Sequence, residues 1–174
     1  MTPHKQLIKH DPENGRFGDC YRTCVAAILN MQPEDVPHFF DGCPDNEQAP
    51  AAGEASRAWL AERQLVEINI AYDGSVGLDV VLATTGHHCF GAPMILTGQS
   101  RLGVNHCVVI MDGKIVCDPS GNGITGPAQP DGYYWATGLG VGPDWVPRRP
   151  CPPSVSSPGI ARVVPYEGAD YGEG

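Results

Sequence analysis

Apolar positions set the first element. Tyr21, Cys24, Val25, Ile28 and Leu29 recur at helical spacing, which predicts an amphipathic helix over about 19–30. Gly18 breaks what precedes it, and Asp19 is placed to cap the first turn. Asn30 and then Pro33 stop the helix. Pro33-Glu34-Asp35-Val36 reads as a single turn with proline at its first position, and Val36, Phe39 and Phe40 supply apolar bulk to staple it to the core. A polar lead-in precedes all this, with a turn cluster at Asp11-Pro12-Glu13-Asn14-Gly15.

Further along, 42–53 reads as a loop. A second amphipathic helix follows over about 54–64, built on Ala55, Ala58, Trp59 and Leu60. Val66-Glu67-Ile68-Asn69-Ile70 alternates as a strand does. The run from Leu78 to Thr84 reads as a short helix ended by Gly86, and Pro93-Met94-Ile95-Leu96 as a short buried strand. The clearest β signal is a hairpin, with Val104–Ile110 and Lys114–Asp118 flanking Asp112-Gly113. From Pro119 to Gly159 the chain is rich in Gly, Pro and Ser, which predicts loops and one short strand near Tyr133-Tyr134-Trp135. Ile160–Val164 reads as a final edge strand, and an acidic tail, 167–174, as disordered. The pattern implies an α+β fold in one domain, 1–166, with a helix packed on an antiparallel sheet.

Composition narrows the function. Among 174 residues the net charge is −9, which argues against a phosphate-binding surface and so against nucleic acid. No run reaches the roughly eighteen apolar residues of a membrane span, and the N-terminus lacks the apolar centre of a secretory signal. Seven cysteines stand at irregular spacings, with no paired zinc knuckle. The thiols therefore read as reduced and the compartment as cytoplasmic.

Candidate chemistry begins with Cys20. A thiol in a helix's first turn sits at the positive end of the dipole, which favours the nucleophilic thiolate. Asp19, if its charge lies close, opposes this. Cys24, one turn deeper, reads as a packing residue. The hairpin offers a partner. A two-residue loop places His106 and Asp118 on opposite faces; a three-residue loop, Met111-Asp112-Gly113 with a bulge, puts His106 across from Asp118 and Cys107 across from Cys117. Side chains directly opposite have Cβ atoms about 4.5–5.5 Å apart, close enough for a carboxylate to orient an imidazole. In that register His106 and Asp118 share a face with Val108, Val116 and Ile110. Both loop types are common, and the pattern permits either. A third arrangement, a metal site from His87, His88, Cys89, His106 and Cys107, matches no zinc spacing, so no metal or other cofactor is expected. His38 reads as structural, and Cys43 and Cys151 as loop thiols.

These residues resemble a family. Asp19-Cys20, then Cys24-Val25-Ala26-Ala27-Ile28-Leu29, is similar to the nucleophile helix of the peptidase C39-like group of papain-like cysteine peptidases. Gly91-Ala92-Pro93-Met94-Ile95, Asn105-His106-Cys107-Val108-Val109-Ile110 and Cys117-Asp118-Pro119 resemble that group's Gly-x-Pro strand, His strand and Asp-Pro turn, in the same order. The start, through Glu34-Asp35-Val36-Pro37-His38-Phe39, resembles small uncharacterised proteins of phage and prophage genomes. The likeness spans about 14–120. It implies a papain-like fold and an amide hydrolase with Cys20 as nucleophile, His106 as general base and acid, and Asp118 as the orienting residue. It also implies an amide side chain shortly before the cysteine to stabilise the oxyanion. Asn14 is the nearest candidate; Gln6 lies farther upstream, and Tyr21 stands where the family has glycine. The implied partner is a peptide or other amide substrate. The alternative is a binding protein on the same fold that acts on a host protein.

Overall fold

The computed structural model describes residues 1–42 and 49–142. Its elements are α1 (Cys20–Leu29), α2 (Ala49–Ala61), β1 (Leu65–Asp73), α3 (Leu78–His88), β2 (Met94–Gln99), β3 (Asn105–Met111), β4 (Lys114–Cys117) and β5 (Tyr133–Val141). The strands form one antiparallel sheet in the order β1-β5-β2-β3-β4. The fold is α+β. Cys43, Cys151, the strand expected at Ile160–Val164 and the tail 167–174 lie outside the described residues.

The centre of the sheet is covered on both faces, which is why β2 and β3 read as continuous apolar runs instead of alternating ones. Ile95, Cys107, Val109 and Cys117 point to one side and pack with Cys24, Val25, Ala26 and Ala27 of α1. Met94, Leu96, Val108 and Ile110 point to the other and pack with Val81 of α3, Ile124 and Tyr134. Each fully buried Leu, Ile or Val contributes about 1.5–3 kcal/mol relative to an exposed one. Asn30 ends α1 in the left-handed conformation (φ 56°), its N–H donating to Ala26 O, as its sequence position implies. Val36 is fully buried beneath α1, Phe39 packs on the same cluster, and Phe40 meets the Tyr21 ring edge-on.

Several boundaries differ from expectation. α2 begins at Ala49 and ends at Ala61, because Ala49, Ala51 and Ala52 favour helix where a loop was expected. β1 and β2 extend beyond the apolar runs that announced them. α3 passes through Gly86 to His88. That glycine marks a close approach, since a Cβ there would lie 2.5 Å from Gly113 N at the hairpin turn. The largest difference is β5. It is a nine-residue central strand, paired along its whole length with β1 and over Trp135–Gly138 with β2. Gly140 faces Ile68, where a Cβ would sit 3.2 Å from Ile68 Cδ1. Gly140 thus sits within a strand, under a neighbouring side chain, and not in a loop.

The hairpin combines features of both expected registers. Asp112 (φ 50°) and Gly113 (φ 74°) make a two-residue turn, pairing Met111 with Lys114 and Ile110 with Ile115. The register then shifts so that Val109 pairs with Cys117, leaving Val116 as the extra residue of a bulge. The bulge therefore lies within β4 and not at the loop. Cys107 pairs with Thr97 of β2, not with Cys117, and Val116 packs on the α1 side, away from Val108 and Ile110.

Candidate active site

Beyond the bulge Asp118 shares a face with His106, one step diagonal to it, a span that two side chains can bridge. The His106 Nε2 lies 2.9 Å from Asp118 Oδ1. Ser120 Oγ is 3.0 Å from the same nitrogen. The carboxylate is held by its own loop: Gly121 N–H and Ser120 N–H donate to Oδ1 at 2.8 and 3.1 Å, and Gly123 N–H donates to Oδ2 at 2.8 Å. An acceptor-only carboxylate at Nε2 fixes the proton there, leaving Nδ1 as the ring nitrogen available to Cys20.

Cys20 is the first residue of α1, where backbone N–H groups have no intrahelical acceptor. Asp19 does not cap this turn. Its fully buried carboxylate accepts from Ile8 N–H at 2.9 Å, Leu7 N–H at 3.3 Å and Arg22 Nε at 2.8 Å. The charge feared to oppose the thiolate is neutralised by Arg22. The polar lead-in is thus a strap. Thr2 N–H donates to Ala27 O, Gln6 N–H donates to Pro119 O at 3.2 Å, and Lys5 Nζ donates to Asp118 O at 3.2 Å, so one segment ties α1 to the Asp118 turn. Tyr21 secures the helix on its other flank, donating to Glu67 Oε1 at 2.6 Å with Ser56 Oγ 3.0 Å away.

The electrostatics favour a thiolate–imidazolium pair. A hydrogen bond from the buried Cys107 thiol holds Cys20 well below the ordinary thiol range, and the hydrogen bond and charge of His106 add to it against the opposing effect of burial. Burial pushes His106 down, but Cys20 and then Asp118 outweigh it and raise it above its ordinary value. Asp118 is likewise pushed up by burial and held low on balance by His106 and the loop amides. Cys24, fully buried, is driven well above the thiol range by desolvation, as suits a packing residue. Replacing Cys107 by alanine is expected to raise the pH at which Cys20 becomes reactive, read as the alkylation rate against pH. An unmoved midpoint would remove Cys107 from the site.

Cys20 and His106 line an open cleft of about 460 Å³. Asn14 does not. It is exposed in the turn Pro12–Asn14, and its Nδ2 donates to Asp11 Oδ2 at 2.8 Å, which keeps the amide within its own loop. Gln6, fourteen positions before Cys20 in the chain, lines the same cleft as Cys20. Ser120 also lines it, a residue that the sequence pattern does not single out. Its proximity to His106 follows from the Asp118 turn, and no periodicity could have announced it.

Among the described residues no group of three His, Cys, Asp or Glu side chains converges as a metal-ligand set. His87 and His88 end α3 with rings 5.3 Å apart, and Cys89 directs its thiol to Met94 Sδ. His38 Nε2 lies 2.9 Å from Phe17 O, a structural contact. Among the described residues no helix is long and apolar enough to cross a membrane. The chain matches no family model, no curated protein and no solved structure, so a reading of the site rests on its geometry.

Proposed function

We propose that the protein is a thiol-dependent hydrolase of amide bonds, with a papain-like pairing of nucleophile helix and antiparallel sheet. The observation that carries the reading is the 2.9 Å contact of Asp118, from behind the cleft, with His106, which lines the cleft together with Cys20. The Cys20 thiolate attacks the carbonyl carbon, and the oxyanion formed is met by the Cys20 N–H and the Gln6 side-chain amide. His106 gives its Nδ1 proton to the leaving amine as the C–N bond breaks, leaving a thioester on Cys20. It then takes a proton from water, whose oxygen attacks the thioester and expels the thiolate. Attack by an amine in place of water makes the same site an acyl transferase.

The test uses a fluorescent iodoacetamide near neutral pH and an activated ester, with mass spectrometry to locate the acyl group. Wild type and Cys24→Ala are expected to label rapidly and to form an acyl-enzyme on Cys20; Cys20→Ala is expected to do neither. Gln6→Ala is expected to lower turnover about 10²–10³-fold, the scale of one lost oxyanion donor, with labelling retained. Labelling of Cys24 alone would give the nucleophile to the wrong thiol. Rapid labelling of Cys20 without acylation would leave the cleft as a binding site, in keeping with an accessory protein directed at a host factor.

A further inference from the structure

The cleft carries a sign of charge opposite to that of the protein. The chain has 20 acidic and 11 basic residues, a net charge of −9. Yet among the described residues that line the cleft there is no Asp or Glu, while Lys5 and Lys9 are both there. Neither lysine forms an ion pair with a described carboxylate. Lys5 is fixed by its bond to the Asp118 carbonyl at 3.2 Å, which leaves two of its three ammonium protons for another acceptor. Lys9 also borders a neighbouring depression that holds Asp11 and Asp41, so Lys5 carries the larger share. His10 accepts the Gly18 N–H at Nδ1. The exposed side chain of Leu102 and half-buried Val104 also line the cleft, while the neighbouring Arg101 does not, its guanidinium being anchored by the carbonyls of Gly121 and Asn122.

We infer that the cleft selects acidic peptide-like amides, with a substrate carboxylate set against Lys5 and Lys9 and an apolar group against Leu102 and Val104. This substrate class rests on the hydrolase reading. The physical basis is focusing: a concave wall of one sign, in a surface of the other, draws a matching ligand to the wall and repels it elsewhere. The overall acidity on its own argues for basic or neutral substrates, and the local distribution reverses that expectation.

Charged and neutral alkylating agents of nearly equal size test the field at Cys20 directly. In each, the thiolate forms a bond to the CH₂ carbon and iodide leaves. At low ionic strength the ratio of iodoacetate to iodoacetamide rates at Cys20 is expected to exceed that of glutathione. The Lys5→Gln/Lys9→Gln double variant is expected to lower the ratio about tenfold, the lower end of the range of such focusing effects. Lys5→Arg, which keeps the charge, and Lys114→Glu, at the hairpin turn, are expected to leave it unchanged, and added salt is expected to compress it. A ratio at or below that of glutathione, or one indifferent to the double substitution, overturns the inference. Because alkylation needs only the thiolate, a preserved ratio with no acyl-enzyme would refute hydrolysis while keeping the anionic selectivity of the cleft. Hydrolysis that favours neutral over acidic peptides would do the reverse.

Discussion

Replacing His106 by alanine is expected to slow hydrolysis about 10⁴-fold or more, the scale on which removal of one member of a catalytic unit acts. The reason is double. The variant loses the proton donor to the leaving amine, and Cys20 loses the hydrogen bond and charge that help hold its ionisation below the ordinary thiol range. The pH profile separates these effects. In the wild type, activity rises as Cys20 loses its proton, at a pH below 9.0, and falls as His106 loses its own, above 6.5. His106→Ala is expected to abolish the falling limb and to move the rising limb upward. Asp118→Asn keeps an acceptor at Nε2 but removes the charge, so its falling limb moves down toward the ordinary imidazole value. Alkylation rates across pH measure the rising limb, and hydrolysis rates the falling one. A His106→Ala limb that superimposes on wild type would show that imidazole and thiol do not act together.

Asp19→Ala is expected to destabilise the fold by about 3–5 kcal/mol, the cost of stranding one partner of a buried ion pair. The side chain is fully buried, and its removal leaves the Arg22 guanidinium and the N–H groups of Leu7 and Ile8 without their acceptor. Urea unfolding at neutral pH gives the magnitude. Asp19→Asn restores an oxygen acceptor but not the charge, and is expected to fall between wild type and alanine. A loss below about 0.5 kcal/mol for Asp19→Ala, the range of ordinary surface substitutions, would mean that the strap holds without this carboxylate. Because Asp19 precedes Cys20, the same variant is expected to loosen the N-terminal wall of the cleft and slow the labelling of Cys20.

α1 was legible because its stripe, its stop at Asn30 and its packing all express one period. The hairpin was legible from Asp112-Gly113, and the shared face of His106 and Asp118 was one of two permitted outcomes. Which register prevails depends on where an extra residue is accommodated. Val116 is no different in kind from Val108 or Val109, so nothing in the residue types marks it. The start of β5 was legible at Tyr133-Tyr134-Trp135, but its length was hidden by Gly138 and Gly140, which read as loop although Ile68 lies over Gly140. The strap was hidden for another reason. Its ties to α1 and to the Asp118 turn run largely through backbone groups, which every sequence supplies alike. Gln6 was passed over for the same cause, since a chain crossing from β4 to α1 brings it to the cleft from fourteen positions away and leaves Asn14 in a side turn.

The bulge at Val116 works as a parity bit. Exchanging that valine for isoleucine or threonine leaves the count of residues between turn and carboxylate untouched, and the acid still faces the imidazole. Lengthening the strand by one further position inverts every side chain beyond it, sending the acid to the opposite surface and the neighbouring thiol into its place, whereas removing Val116 restores a regular ladder with the acid still on the imidazole's face. In this ribbon the insertion of one residue is therefore far more consequential than nearly any exchange of identity.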